Sequence, residues 1–217
     1  MKVESLTDMA KRKLEKWIFT DYLKPGQQIK EDEVATRLGI SRPPVREAFK
    51  VLESEGLVIR KPRKGVFVVK MNKEDIIEVY MLKANLYAMA TELALENITE
   101  TQLKELGGLV QKMEACIHED IPDILNYQKF HRKFHIRIMD IAGNRRLKIF
   151  ASNLHKQIRR FSYQTLQYQT HLIKSVKYHK EIVERMGEKD KGNACKIMKE
   201  HVLDAMNFLV SLSALFD

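Results

Sequence analysis

Residues Leu38 to Leu57, LGISRPPVREAFKVLESEGL, constrain this chain more than any other stretch, because one helix there must show two faces of opposite chemistry. Val45, Ala48, Phe49 and Leu52 fall at the spacing of a buried stripe. Arg42, Arg46 and Lys50 repeat at i, i+4 and i+8 on another face, which directs three cations away from the core. Ser41 is a suitable N-cap, and Pro43 with Pro44 fits only a first turn, where backbone N–H groups lack an intrahelical partner. Gly39 suits the tight turn out of a preceding helical segment, Glu31–Leu38. The pattern predicts helix, short turn and a second helix whose basic residues lie at its N-terminal end. That shape can enter a DNA major groove.

After Leu57, the segments Val58–Arg60 and Val66–Val69 read as two short, valine-rich β segments. Between them lies Lys61-Pro62-Arg63-Lys64-Gly65, a basic tip with Pro and Gly as turn residues. Strand, basic loop and strand after such a helix make a winged helix, and the tip can reach backbone phosphate or the minor groove. Each element alone could be an ordinary solvated face or hairpin. Their occurrence in this order points to nucleic acid.

The segments Pro25-Gly-Gln-Gln-Ile29, Leu38-Gly-Ile-Ser-Arg-Pro-Pro-Val-Arg-Glu-Ala48, Leu52-Glu-Ser-Glu-Gly-Leu57 and Lys64-Gly65 resemble the DNA-binding domain of GntR-type bacterial transcriptional regulators. The resemblance covers roughly residues 5–70. It implies double-stranded DNA as a partner, with Ser41, Arg42, Pro43, Arg46, Lys50, Arg63, Lys64 and Gly65 as the expected DNA-binding positions.

Charge agrees. The 217-residue chain has a formal net charge of +9, from 38 Lys+Arg against 29 Asp+Glu. Residues 1–70 hold 16 of those basic and 10 of the acidic side chains, so most of the excess sits beside the helix-turn-helix. A polyanion is favoured, and phosphate contacts would make its affinity fall steeply with salt. Charge alone would equally suit RNA or an anionic membrane; the helix geometry decides. The start MKVESLTDMAKRK lacks the apolar core of a secretory signal, and the tail FLVSLSALF is too short to span a bilayer. Cys116 and Cys195 form no metal or redox spacing and read as buried thiols. A cytoplasmic protein without a membrane partner is expected.

From Asn72 onward strand patterning ends, and long helical segments are predicted at about 73–96, 100–117, 122–142, 145–169, 173–187 and 190–214, with an interruption around His171. The fold class expected is mainly α: a winged helix-turn-helix domain over residues 1–71, then an all-α antiparallel helical bundle over 72–217.

Histidines give the bundle its chemistry. His131 and His135, four apart, share a helix face that Ile138 and Ala142 continue inward. His179 lies on the apolar line of Val176, Val183 and Met186, and His201 on that of Ala194, Ile197, Met198, Ala205 and Phe208. The turn at Gly187–Asp190 makes a hairpin of these last two helices. His179 and His201 lie about 10 and 12 residues from its centre, so they stand within about 3 Å of equal height. One core histidine is usually a satisfied polar group. Four together suit a borderline divalent metal such as zinc, nickel or copper, zinc and nickel foremost.

Phe134-His135 followed by Ala142-Gly143-Asn144, together with the spacing from His179 to His201, resembles the FadR-like, or FCD, effector domain over roughly residues 72–212. In metal-binding members of that family the ligands are an Asp four residues before a His, then two further histidines. Carried over, the positions are His131, His135, His179 and His201, with His131 where Asp is usual. A neutral ligand there disfavours hard metals. Phe130-His131 would permit a shifted register with Tyr127 as first ligand, but the Ala-Gly-Asn anchor argues against it. The family's first bundle helix often carries an Arg for the effector's carboxylate, and Lys83 matches that position. Its bland alternative is a solvated lysine.

The resulting expectation is a one-component, homodimeric regulator controlled by a small carboxylate effector at the metal. Two alternatives stay open: a metal-dependent enzyme fused to a DNA-binding domain, and a purely structural metal site. No Glu or Asp stands beside the histidine lines as an evident general base.

Overall fold

A computed structural model describes residues 5–118 and 122–212, which places the end of the last predicted helix and the extreme C-terminal tail outside the described residues. The chain divides into two compact units, Met1–Asn72 and Lys73–Asp217.

The first unit opens with helix α1 (Leu6–Phe19), capped by Ser5, whose hydroxyl accepts the Asp8 N–H at 3.1 Å. Pattern alone leaves this segment unassigned, because cations crowd it, although Ala10, Leu14 and Ile18 do form a buried line. Strand β1 (Gln28–Ile29) follows, then α2 (Glu31–Leu38), α3 (Arg42–Ser54), β2 (Val58–Lys61) and β3 (Gly65–Val68). The two expected strands are displaced by at most one residue. The third, β1, is two residues long and leaves no periodic trace. It pairs antiparallel with β3, Gln28 opposite Phe67, giving the order β1-β3-β2.

One core holds these elements together. Val45, Ala48, Phe49 and Leu52 of α3 meet Leu14 and Ile18 of α1, Val34 and Ala35 of α2, and Ile29, Val58, Val66 and Val68 of the sheet. Gly39 ends α2 at φ 65°, a left-handed conformation that costs glycine little. Ser41 occupies the N-cap position of α3 with extended backbone, but its hydroxyl makes no capping bond. It is therefore free for an external partner.

The second unit contains α4 (Lys73–Asn97), α5 (Glu100–Ala115), α6 (Ile124–Ile141), α7 (Arg145–Thr165), α8 (Gln169–Gly187) and α9 (Lys191–Ser211). Local signals set the boundaries. Thr99 and Gln102 form a capping box before α5, and Asp123 and Asp190 cap α6 and α9. The helix α4 packs against α6, α7 and α9, while α8 packs against α5 and α9. Ala84, Ala90 and Ala94 on buried positions of α4 allow close helix approach.

Two details differ from expectation. The interruption falls at 166–168 rather than at His171, which lies inside α8, buried and stacked 4.7 Å from the Phe208 ring. Cys116 is buried as expected, but Cys195 is only half-buried. Among the described residues no helix is long and apolar enough to cross a membrane.

Candidate functional site

The first unit presents its cations as the periodicity requires. Arg42, Arg46 and Lys50 are all exposed on α3, and Arg63, Lys64 and Gly65 are exposed at the wing. What periodicity does not convey is their pairing. Arg46 forms a two-pronged contact with Glu31 on α2, Nη2 to Oε2 at 2.9 Å and Nε to Oε2 at 3.1 Å. Arg42 Nε lies 2.7 Å from Asp32, and Lys50 Nζ 2.8 Å from Glu47. The Arg46 hydrogen bond holds the Glu31 carboxyl below its usual range. Such exposed pairs contribute only about 0–1 kcal/mol, so phosphate or a base edge can displace the carboxylate at little cost. Glu31 and Asp32 thus aim the guanidinium groups without locking them.

The wing tip is held by its backbone. Lys64 N–H donates to the Lys61 carbonyl at 3.0 Å, and Gln28 Nε2 donates to the Lys64 carbonyl at 2.7 Å. Gly65 sits at φ 93°, and a Cβ there would come within 3.2 Å of Gln28 Nε2. A side chain there would be strained at this φ and would make the Gln28 amide give by a few tenths of an ångström. Pro43 lies exposed in the first turn of α3 beside Arg42.

In the second unit, His131, His135, His179 and His201 come together from α6, α8 and α9, their candidate ligand atoms all within 4.8 Å of one another. His135 Nε2 lies 3.3 Å from His131 Nε2 and 3.2 Å from His179 Nε2. Nitrogens about 2.0–2.1 Å from one tetrahedral zinc would stand roughly 3.3 Å apart, so the spacing fits. The rings of His179 and His201 are 4.4 Å apart, as equal height on the α8–α9 hairpin requires. His135, His179 and His201 are buried; His131 is half-buried.

The protonation logic also fits a metal. Burial pushes the His179 imidazole down to about 4, and burial followed by the neighbouring imidazoles and Lys83 holds His131, His135 and His201 well below the ordinary range. Neutral rings offer lone pairs. His179 Nδ1 donates to the Ser175 carbonyl at 2.6 Å, which leaves Nε2 as the lone-pair nitrogen facing the cluster. Ser175 also accepts the Tyr127 hydroxyl at 2.9 Å. Tyr127 is therefore a supporting residue outside the ligand group. His135 Nδ1 is sealed from solvent without a hydrogen-bond partner. The rings alone do not satisfy one another.

Lys83 is no solvated lysine: it is 5% exposed. Its Nζ lies 4.8 Å from the Tyr87 ring centroid and 5.5 Å from that of Tyr80, and the Tyr87 ring is 4.9 Å from that of His135. Burial alone pushes its amine down to about 7, and no carboxylate among the described residues offsets it. Half-buried His155 on α7 carries no periodic cue that separates it from a core histidine. Its Nδ1 is sealed and unpartnered, and burial, then the cations Lys83, Arg159 and Arg132, push the ring down to about 3.

A winged helix followed in the chain by an all-α bundle with an inward histidine cluster defines a class of one-component regulators, and comparison with known proteins identifies the branch. Residues 6–68 match the model of the gntR family of bacterial regulatory proteins, and residues 78–204 match the FCD domain. The chain belongs to the GntR family of transcriptional regulators, in its FadR-like, FCD-containing subfamily. It is 31% identical to the helix-turn-helix transcriptional regulator YdhC of Bacillus subtilis strain 168 over 89% of this chain and 84% of that protein. Identity to the regulator McbR of Escherichia coli K12 is 32%, over 61% of this chain and 60% of that protein. A solved structure of E. coli McbR/YncC shares the fold with a TM-score of 0.81 at 22% identity, covering 97% of this chain and all of that one. Members of the family are regulators, which removes the enzyme alternative.

Two outcomes follow from the site. The four imidazoles are expected to take up about one divalent transition metal per subunit, lost in His135→Ala or His179→Ala, while His131→Asp keeps a metal and shifts preference toward harder ions. Elemental analysis before and after metal titration checks this, and absence of any uptake by folded wild type overturns it. The second concerns Lys83, whose folded amine titrates near 7 against about 10.4 in an unfolded chain. Between those values the unfolded chain binds the extra proton, so stability rises with pH across that window. Below it the full burial cost remains. Lys83→Met is expected to raise the melting temperature at pH 7 and to flatten the rise toward pH 10, read by thermal denaturation without ligand.

Proposed function

We propose that this regulator is a cytoplasmic homodimer whose affinity for a double-stranded DNA operator is controlled by a small carboxylate bound in the bundle. Residues 1–71 serve as the DNA-binding domain, and residues 72–217 bind effector and form the dimer. The observation that carries the proposal is the convergence of four neutral imidazoles beside a buried lysine that has no carboxylate partner. His131, His135, His179 and His201 would hold a divalent metal, zinc or nickel first. When bound, such an ion supplies a concentrated positive charge that four neutral ligands leave undiminished.

Lys83 then fixes the far end of the anion. Its burial cost is repaid when a carboxylate arrives, and the dry surroundings strengthen that pairing. The Ser175 carbonyl holds His179 in the tautomer that faces the cluster. On the DNA side, Arg42, Arg46 and Lys50 with Ser41 and Pro43 address the major groove, while Arg63, Lys64 and Gly65 address phosphate or minor groove. A two-fold dimer matches two half-sites, and exposed Leu82 and Met89 on α4 with Ile149 and Phe150 on α7 supply apolar surface for self-association. Control requires only that effector bind the DNA-competent and incompetent arrangements with different affinity.

A purely structural metal is the second reading, favoured by the fourth imidazole at His131 in place of an acid. The two separate in one operator-binding titration. A small carboxylate is expected to stabilise the metal-loaded protein and to shift its operator affinity by about 5–150-fold, a response weakened by Lys83→Met or by chelation. Arg46→Ala should cost about 1–3 kcal/mol and relax sequence preference, whereas Lys64→Ala should weaken all DNA similarly. A carboxylate panel without effect on the metal-loaded protein leaves the structural reading, and an unchanged operator affinity in folded Arg46→Ala protein removes the groove assignment.

A further inference from the structure

The three acids that meet the cations of α3 are not alike. Glu47 stands three residues before Lys50 on the same helix, and Asp32 meets Arg42 through Nε, with all four side chains more than half exposed. Glu31 comes from the first turn of α2 and its side chain is only 24% exposed, the most covered of the three acids. A helix N-terminus favours an anion at that position. The Arg46 hydrogen bond first, then the fields of Arg46, Arg60 and Arg42, hold its carboxyl below the usual range. Glu31 is thus a fixed, ionised acceptor beside the recognition helix.

Which edge of Arg46 it takes matters more. A guanidinium carries five N–H groups in one plane. Glu31 occupies the side edge: Nε–H donates to Oε1 at 3.2 Å and to Oε2 at 3.1 Å, and one Nη2–H donates to Oε2 at 2.9 Å. The end of the fork, formed by Nη1 and the second N–H of Nη2, diverges from that edge and stays available. Two parallel donors there match O6 and N7 of guanine in the major groove. A guanine can be bound without displacing Glu31 at all. A phosphate brought to the same donors lies close to a carboxylate, and like-charge repulsion works against it.

We propose that Glu31 is a specificity-determining residue that acts through Arg46: it keeps the side edge of the guanidinium in the DNA complex, turns the end of the fork to a guanine and holds phosphate off it. This rests on the groove reading of Arg46 above and adds the base and the residue that enforces it. Glu31 needs no contact with DNA, so it is a positioning residue. Its carboxylate also lowers affinity for unrelated DNA, so its removal has opposite effects on affinity and on selectivity. A merely structural acid would weaken all sequences together.

Selection of bound sequences from a randomised duplex library tests it on the full-length protein, followed by binding isotherms on the selected duplex and on an unrelated one. Wild type is expected to fix a G·C pair in each half-site that becomes degenerate in Arg46→Ala. Glu31→Ala and Glu31→Gln are expected to lose at least about threefold of the preference for guanine at that pair and to keep the preferences elsewhere. Unrelated DNA is expected to bind Glu31→Ala more tightly, with a log–log salt slope steeper by about 0.9 as the released Arg46 takes a phosphate. Circular dichroism confirms that each variant is folded. If the pair lost in Arg46→Ala is kept in both folded Glu31 variants, the positioning role falls and the groove reading of Arg46 stands. A pair other than G·C at that place overturns the guanine assignment. If no pair degenerates in Arg46→Ala, both readings fall, and equal weakening of every sequence in Glu31→Ala marks a structural acid and overturns the proposal.

Discussion

A neutral imidazole has one nitrogen that donates and one that accepts, and away from water both need partners. Four such rings turned into one helical core cannot meet that need among themselves. His179 is satisfied on one side by the Ser175 carbonyl, and its other nitrogen then points a lone pair at His135. His135 in turn keeps an unpartnered Nδ1. The second unit is built around this deficit. One capping box, alanine-lined contacts and a buried Tyr127–Ser175 bond help fix the long helices that bring these nitrogens close together.

Lys83 belongs to the same account. Helix α4 packs on three partners, and that packing carries a lysine to a place where water is scarce and no acid waits. A protein that needed only stability would place an apolar side chain there. Retaining a desolvated amine beside neutral histidines stores electrostatic free energy that an anion can release.

The DNA-binding unit follows the opposite logic. Its cations stand in water, and each exposed cation on this face of α3 leans on a carboxylate: Arg46 on Glu31, Arg42 on Asp32, Lys50 on Glu47. These pairs cost little to break, and they lower the bare positive field of the recognition helix. The wing cations Arg63 and Lys64 are exposed and have no such acid partner among the described residues.

Much of this was legible in the residue order, for a local reason. The two faces of α3, the basic wing, the six bundle helices and the matched heights of His179 and His201 follow from the 3.6-residue period, from capping residues and from Pro and Gly placement. All of these act within a few residues. Two-residue β1 and cation-crowded α1 escaped because their pattern is too short or too masked to stand out. What the sequence could not decide was which polar groups would be left without partners. Lys83 matches a family position for an effector's carboxylate, with a solvated lysine as its alternative, and only the packing of α4 shows it buried, while Glu31 is merely an acid in a first turn until α3 brings Arg46 beside it. Whether a charge is solvated, paired or stranded depends on residues far away in the chain, so only the tertiary structure determines it.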